Sequence, residues 1–274
     1  MESDVVSSLE ALAAAIPDGA LLAVPKDSSG VAMAATRELV RRGVRDLRLV
    51  CVPVGGLQAD ILIGTGAVAT IETSAVTLGE FGGAPRFAAA VREGAIRVLD
   101  ATCPAIYAAL QAGEKGIPFM PLRGLIGTDL LVHRQDWKVI DNPFAGQDRI
   151  VALPGIRPDI SLFHAPLADR HGNVFVGAKR ELMLMAHAAR QTLVTVEEIT
   201  DDNLLDDPQR SAGVLPAIYV SRVAAAKHGA WPLAFRDLYA DDEAALANYV
   251  AAAGTAAGFR HFVDSWLDTR RAVA

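Results

Sequence analysis

Short apolar runs alternate with amphipathic stretches along most of the sequence, and this alternation limits the possible fold more than any other feature. The runs at 59–64 and 149–154 are nearly all apolar, which is typical of strands buried on both faces. The stretches at 30–43, 84–94 and 104–116 carry apolar residues at helical spacing and end in glycine. We therefore predict an α/β fold with an open, mostly parallel sheet and helices on both faces.

The same pattern places the remaining elements and indicates where the α/β domain ends. After residue 225 the sequence becomes helical and irregular. We predict an α/β domain over 1–225 and a C-terminal helical extension over 226–274 that packs on it. No linker rich in Gly, Pro or Ser divides the chain. The other predicted elements are a helix at 179–191 and strands at 46–54, 70–76, 96–101, 117–124, 159–166, 173–177 and 192–200.

Charge and composition argue against several classes of protein. The net charge is −6, so the chain has no basic surface for nucleic acid. No apolar run reaches the length of about 18 residues that spans a bilayer. The N-terminus has acids where a signal peptide has basic residues. The two cysteines, Cys51 and Cys103, lie far apart, which favours a reducing compartment. We expect a cytoplasmic protein with no membrane or nucleic-acid partner.

Three short motifs have both a functional and a structural interpretation. Segment 64–69, GTGAVA, fits a dinucleotide-binding fingerprint, but β-branched residues follow it instead of a helix, so we interpret it as a glycine turn between strands. Cys103 precedes a proline at a helix start, a position that suits either a thiolate nucleophile or simple packing. Arg123 follows a strand and could bind a carboxylate or pair with Asp100 or Asp129. The histidines lack zinc-binding spacing, so no metal site is predicted.

Longer segments, taken in order, resemble one known family. Segments 36–50, 59–96, 116–131 and 151–177, together with DNPFAG at 141–146, are similar to the α subunit of the glutaconate CoA-transferase branch of the family I coenzyme A transferases. The most specific parts are PFMPLR with GTDLL, and GIRPD followed by ADRHGNV. The likeness runs from about residue 20 to residue 240 and implies a NagB/RpiA-like fold.

The resemblance implies a partner and a chemistry. In this branch a homologous β chain docks on the α chain and carries a glutamate that attacks an acyl-CoA thioester, giving an acyl-enzyme anhydride. The CoA thiolate then forms a glutamyl-CoA thioester, from which an acceptor carboxylate takes over the CoA. The implied activity is that of the α subunit of a heteromeric acyl-CoA:carboxylate CoA-transferase. Its substrates would be small acyl-CoA thioesters and carboxylates, with coenzyme A as part of the substrate and no metal.

The resemblance also selects candidate site residues. Glu80 lies in EFGG, which imitates the E-x-G turn of the β-chain nucleophile, but its surroundings match the α-chain sequence. We therefore expect Glu80 to bind substrate or to cap the helix that begins at Ala84, and not to act as the nucleophile. Ser74, Arg123 and Thr128 are the other candidates for binding substrate in the subunit cleft.

Two departures from the family pattern bear on the reaction. The segment VPKDSSGVAM has Lys26, Ser28 and Ser29 where many α chains have a glycine-rich turn, which allows a different acyl acceptor or reaction. A related two-subunit branch hydrolyses ring-derived CoA thioesters with C–C cleavage, using an α-chain glutamate near the turn that reads DATCP here. That turn contains Asp100 and Cys103 but no glutamate. The transferase is thus favoured, and a subunit of a CoA-thioester hydrolase that acts on a ring-degradation intermediate is the alternative.

Overall fold

A nine-stranded sheet lies at the centre of the computed structural model, which describes residues 5–268. The strands are β1 Leu21–Pro25, β2 Leu47–Val52, β3 Val68–Thr73, β4 Arg97–Asp100, β5 Phe119–Leu122, β6 Lys138–Asp141, β7 Arg149–Pro154, β8 Ile160–Asp169, β9 Val174–Phe175, β10 Gln191–Thr200, β11 Val214–Leu215 and β12 Arg222–Ala225. The helices are α1 Leu9–Ala14, α2 Met33–Arg42, α3 Leu57–Gly64, α4 Pro85–Glu93, α5 Cys103–Lys115, α6 Leu130–His133, α7 Arg180–Ala188, α8 Glu243–Ala253 and α9 Ala256–Asp268.

The large sheet is mostly parallel. Its strands follow the order β4–β3–β2–β1–β8–β10–β12, and each neighbouring pair in this series is parallel. The short strands β9 and β11 continue from β8 with antiparallel pairing. Parallel neighbours need long crossovers, and helices supply most of them here. The predicted open, mostly parallel α/β fold is confirmed.

Alternate residues of the central strands face two separate hydrophobic cores. In β1, Leu22 and Val24 belong to the core that also contains residues of α1–α4, α8 and α9. Ala23, between them, belongs to the core that contains residues of α5 and α7. Successive side chains of a strand point to opposite faces of its sheet. Helices therefore cover the large sheet on both faces, as predicted.

Two segments predicted as strands, 117–124 and 149–154, pair in a separate three-stranded antiparallel sheet formed by β5, β6 and β7. Arg134, whose side chain is 3% exposed, joins this unit to the large sheet. Its guanidinium donates to Glu72 Oε1 in β3 at 2.7 Å and to Asp100 O at the end of β4 at 3.1 Å. The small sheet is consequently held against β3 and β4.

The prediction of a strand at 59–64 is wrong, because this segment lies in helix α3. Every residue from 57 to 63 is buried, so the helix has no polar face and its sequence looks like that of a buried strand. Segment 64–69 therefore links a helix to β3, with Gly66 at φ 75°, and does not link two strands. Helix followed by strand is the reverse of the order that a dinucleotide fingerprint needs.

Asp60 of α3 connects three helices through its buried carboxyl group. Its Oδ1 accepts from Phe87 N at 2.6 Å, and its Oδ2 accepts from Arg86 N at 3.3 Å and from the Tyr249 hydroxyl at 2.6 Å. Burial raises the pKa of Asp60, whereas these hydrogen bonds oppose the rise. The bonds cap the first turn of α4 and fix α8 on the same core. The predicted domain boundary at residue 225 stays a prediction.

We expect Tyr249→Phe to lower the free energy of unfolding by about 1–3 kcal/mol, because it removes a hydrogen bond to a buried carboxyl group. Urea unfolding followed by circular dichroism measures the change. Tyr219→Phe is the control: Tyr219 is 43% exposed and its hydroxyl makes no hydrogen bond to residues 5–268. The control should change stability by less than about 0.5 kcal/mol. Equal losses in the two variants would contradict the role given to Asp60.

Candidate active site

The carboxyl ends of β1, β2, β3 and β4 lie side by side, because these strands are parallel neighbours. Lys26 follows β1, Pro53 follows β2, Ser74 follows β3, and Cys103 begins α5 soon after β4. Open α/β sheets bind their ligands beyond the carboxyl ends of the strands. We therefore take this edge, called the carboxyl edge below, as the candidate site.

Ser74 and Cys103 contact each other at the carboxyl edge. Ser74 N and Oγ both donate to Pro53 O, at 3.1 and 2.8 Å. Ser74 Oγ also lies 3.2 Å from Cys103 Sγ. Because a hydroxyl has one hydrogen and Pro53 O accepts it, Ser74 Oγ is left to accept from the Cys103 thiol. The arrangement joins the ends of β2, β3 and β4 with polar groups that face the edge.

The turn after β1 is pressed against β8 and tied to α7. Gly30 has φ 101°, its carbonyl accepts from His164 N at 2.8 Å, and a Cβ at this position would lie 2.2 Å from His164 O. Ser29 is buried, and its hydroxyl donates to Glu181 Oε1 at 2.5 Å. Burial raises the pKa of Tyr107, and the charges of Glu181 and Cys103 raise it further. These side chains are therefore neighbours around the end of β1.

A polar cluster around the buried His164 ring forms the wall above the turn that follows β1. His164 Nε2 and the Tyr239 hydroxyl both lie 2.7 Å from Glu197 Oε1, and His228 N donates to Glu197 Oε2 at 2.7 Å. Burial lowers the pKa of His164 although Glu197 opposes the shift. Burial also acts to raise the pKa of Glu197, but the hydrogen bonds from His164 and Tyr239 hold it below its usual value. The cluster thus pairs a neutral imidazole with a carboxylate that binds four partners, including Gly229 N.

Asp27 occupies the turn after β1 and approaches the start of α3. Its carboxyl oxygens accept from Leu57 N at 3.1 and 3.2 Å, and a Cβ at Gly56 would lie 2.1 Å from that carboxyl group. Burial raises the pKa of Asp27 to about 7; the charges of Asp241 and Asp60 add to the rise, and the Leu57 bond opposes it. Asp27 therefore titrates near neutral pH beside the candidate site.

We expect Asp27→Asn to stabilise the protein more at pH 8 than at pH 5. The raised native pKa means that ionisation of Asp27 destabilises the native state progressively as pH rises from about 4, its unfolded value, to about 7. Asparagine keeps an acceptor for Leu57 N without the charge, so the gain at pH 8 should be at least about 1 kcal/mol and at most about 4 kcal/mol. Urea unfolding at both pH values measures it.

Asp18→Asn is the matched control, because exposed Asp18 also accepts from a backbone amide, Arg45 N, at 3.0 Å. Its effect on stability should not differ between pH 5 and pH 8. An effect of Asp27→Asn that is the same at both pH values would contradict the assignment of Asp27 as the titrating group.

Comparison with known proteins identifies the family. A family model described as Coenzyme A transferase matches residues 6–226. The chain belongs to the coenzyme A transferase family. It is 31% identical to one subunit of the 3-oxoadipate CoA-transferase of Pseudomonas knackmussii, in a match that covers 97% of this chain and 93% of that protein.

Two further comparisons concern the structure and the chemistry of similar proteins. The crystal structure of glutaconate coenzyme A-transferase from Acidaminococcus fermentans matches with a TM-score of 0.89 at 27% identity, covering 97% of this chain and 90% of that chain. A cholesterol ring-cleaving hydrolase IpdA subunit from Mycobacterium tuberculosis is 28% identical, covering 86% of this chain and 83% of that protein. The resemblance found in the sequence is confirmed. Proteins about equally similar to this chain are named for two different reactions, CoA transfer and hydrolytic ring cleavage.

Arg123, predicted to bind substrate, is bound to another side chain. Its Nε and Nη2 donate to the two oxygens of Asp148 at 3.0 and 2.5 Å, so neither Asp100 nor Asp129 is its partner. The bond from Arg123, with a second from Asn142, lowers the pKa of Asp148 to about 2. Arg123 is nevertheless 69% exposed. Substrate binding by Arg123 stays a prediction, and it would require exchange of Asp148 for a ligand carboxylate.

Glu80 and Thr128 lie in turns, whereas Ser74 lies at the carboxyl edge. Glu80 is exposed in a 3₁₀ turn, Gly79–Phe81, within the loop between β3 and α4. The predicted capping of α4 by Glu80 is wrong, because Asp60 accepts from the first turn of that helix. Thr128 Oγ1 donates to a carbonyl of its own turn at 2.8 Å. Substrate binding by Ser74, Glu80 and Thr128 stays a prediction.

Sequence reasoning missed Asp27, Tyr107 and Glu181. Asp27 stands between Lys26 and Ser28, in a segment that departs from the family pattern, so its position after a strand was a usable signal. Tyr107 and Glu181 reach the site only through contacts between distant helices.

Within residues 5–268 no cluster of His, Cys, Asp or Glu side chains could hold a metal ion. No helix in that range is long and apolar enough to cross a membrane.

Proposed function

We propose that this chain is the α subunit of a heteromeric acyl-CoA:carboxylate CoA-transferase. The observation that supports it most is the match along nearly its whole length to a subunit of the Pseudomonas knackmussii 3-oxoadipate CoA-transferase. The enzyme would act on small acyl-CoA thioesters and carboxylates together with a homologous β subunit. The two free cysteines, Cys51 and Cys103, suit a reducing compartment such as the cytoplasm.

The nucleophile is assigned to the partner because none of Glu80, Glu181 and Glu197 suits the task; Glu197 already accepts hydrogen bonds from four groups. A carboxylate nucleophile must be ionised yet poorly hydrated. Glu80 is exposed to water, and Glu181 already accepts a hydrogen bond from Ser29 at 2.5 Å. Lys26, half-buried after β1, would place positive charge near the oxyanion that forms when the thioester is attacked. This chain would thus form one wall of the cleft.

The proposed reaction moves CoA in two exchanges. The partner glutamate attacks the thioester carbonyl carbon, and the CoA thiolate leaves. The thiolate then attacks the glutamyl carbonyl of the anhydride, which releases the first carboxylate and leaves glutamyl-CoA. The acceptor carboxylate attacks glutamyl-CoA, and the thiolate finally attacks the acceptor carbonyl, which regenerates the glutamate. The number of thioester bonds is unchanged, so no external energy source is needed.

Expression of this chain alone and with its companion chain tests the division of roles. We expect CoA exchange only in the complex, a loss on the order of 1,000-fold or more when the partner glutamate becomes glutamine, and a change mainly in KM for Glu80→Gln, since Glu80 is predicted to bind substrate and not to react. Activity is measured as transfer of CoA from an acyl-CoA to a carboxylate. Mass spectrometry that locates a glutamyl-CoA adduct on this chain would contradict the assignment.

A CoA-thioester hydrolase or C–C cleaving subunit is the second candidate, because the chain is 28% identical to a cholesterol ring-cleaving hydrolase subunit. The turn before α5 carries Asp100 and Cys103 and no glutamate, which favours the transferase. The two functions differ in their need for an acceptor acid. Release of CoA into water at the same rate with and without acceptor, and with no exchange, would support the hydrolase.

A further inference from the structure

Arg236 is held in an unusual backbone conformation near the carboxyl edge. It has φ 54°, in the left-handed region that a residue with a side chain adopts at a cost. The turn is closed by Phe235 N, which donates to Tyr239 O at 3.0 Å. The Tyr239 hydroxyl donates to Glu197 Oε1 at 2.7 Å, and the Phe235 ring lies 4.6 Å from that of His164. The buried wall therefore fixes the position of Arg236.

The guanidinium of Arg236 is half-buried and forms no ion pair with any residue in the described range 5–268. Its Nη2 donates to Val176 O at 2.6 Å, and its Nε is buried without a hydrogen-bond partner. Among residues 5–268 no carboxylate lies within 4.0 Å of its nitrogens. Burial lowers the pKa of Arg236, whereas Glu181 and Asp237 oppose the shift from a distance. A partly desolvated charge of this kind is stabilised by a paired anion.

The contacts of Arg236 place it beside the turn that follows β1. Val176 comes directly after β9, which pairs with the end of β8, where Ala168 is the partner of Val174. Glu181, whose charge acts on Arg236, is the residue that accepts from Ser29. Arg236 thus borders the same edge as the turn that carries Ser29.

We propose that Arg236 binds the free carboxylate of a dicarboxylic acyl group, and so selects acyl-CoA substrates that carry a second carboxylate. The proposal rests on the function proposed above and names its substrate class. A guanidinium with unused N–H groups matches the two oxygens of a carboxylate. Val176 O accepts from Nη2, whereas Nη1, which lies beside Gly177 and makes no hydrogen bond within residues 5–268, would donate to the ligand. Both CoA-transferases compared with this chain are named for acids with two carboxylates, 3-oxoadipate and glutaconate.

The test compares glutaryl-CoA and butyryl-CoA as donors for the αβ complex carrying Arg236→Gln or Arg236→Lys. We expect Arg236→Gln to raise KM for glutaryl-CoA about 10- to 100-fold, the range for a lost charged hydrogen bond, and KM for butyryl-CoA less than about threefold. Arg236→Lys keeps the charge, so its KM for glutaryl-CoA should lie between those of the wild type and of Arg236→Gln. Arg180→Gln is the matched control, because exposed Arg180 also donates to a backbone carbonyl, Ala212 O, at 3.1 Å; its KM values should not change.

Equal loss with both thioesters would overturn the proposal and indicate that Arg236 only supports the wall. Calorimetric binding of glutarate and butyrate to the complex gives a readout that does not depend on turnover. If the wild-type complex shows no CoA exchange but binds glutarate, and Arg236→Gln abolishes that binding, the proposed function fails and the carboxylate site stands. If glutarate binds no better than butyrate, the carboxylate site fails. Thermal unfolding checks each variant, and the lysine variant decides the result if the glutamine variant does not fold.

Discussion

The pairing of β1 with β8 is the constraint on which the candidate site depends. β1 has 5 residues and β8 has 10, and they pair only through Leu22 with Ile160 and Ala23 with Ser161. β8 therefore continues past the last residue of β1 that pairs with it, and the turn after β1 packs against β8 at His164. Glycine is needed at position 30 because a side chain there would overlap the His164 carbonyl. Because β8 is longer than β1, β1 ends at the carboxyl edge while β8 continues beyond it and contributes His164 to the wall.

Two carboxylates in the sequence that carries the family resemblance stabilise the scaffold around β1 and β8. Asp169, in ADRHGNV, is fully buried, and its carboxylate accepts from His171 N, Asn173 N and Leu204 N. Asp159, in GIRPD, accepts from Leu21 N at the start of β1 at 2.9 Å. These carboxylates satisfy buried or turn amides that would otherwise be unpaired. A sequence can therefore be specific for a family because it specifies the scaffold, while the chemistry is set by other residues.

The sequence was sufficient for six of the nine strands of the large sheet and for α2, α4, α5 and α7, since period and glycine position are local signals, but it missed β1, β11 and β12. It failed at α3, where burial on all sides removes the polar face that distinguishes a helix from a buried strand. Ser74 was selected through the family resemblance, and the structure places it directly after β3. Glu181 and Arg236 were not selected, because their partners are remote: Ser29 lies 152 residues from Glu181, and Val176 lies 60 residues from Arg236. Glu80 was predicted to cap α4, but the buried Asp60 does so. Both carboxylates precede this helix in the sequence, and only packing shows which of them reaches its first turn.

An edge that is open to water explains why this chain would need a companion. Water reduces the attraction between unit charges 4 Å apart to about 1 kcal/mol, whereas a site near a protein surface with an effective dielectric constant of about 20 allows about 4 kcal/mol. A second chain that covers the carboxyl edge would exclude water from both ends of a bound acyl group. The same closure would make a carboxylate nucleophile reactive and would strengthen any ion pair made by Arg236, whose guanidinium is already partly desolvated. Catalysis and substrate selection would then depend on one event, the docking of the partner, and the isolated chain would bind its dicarboxylic substrate only weakly.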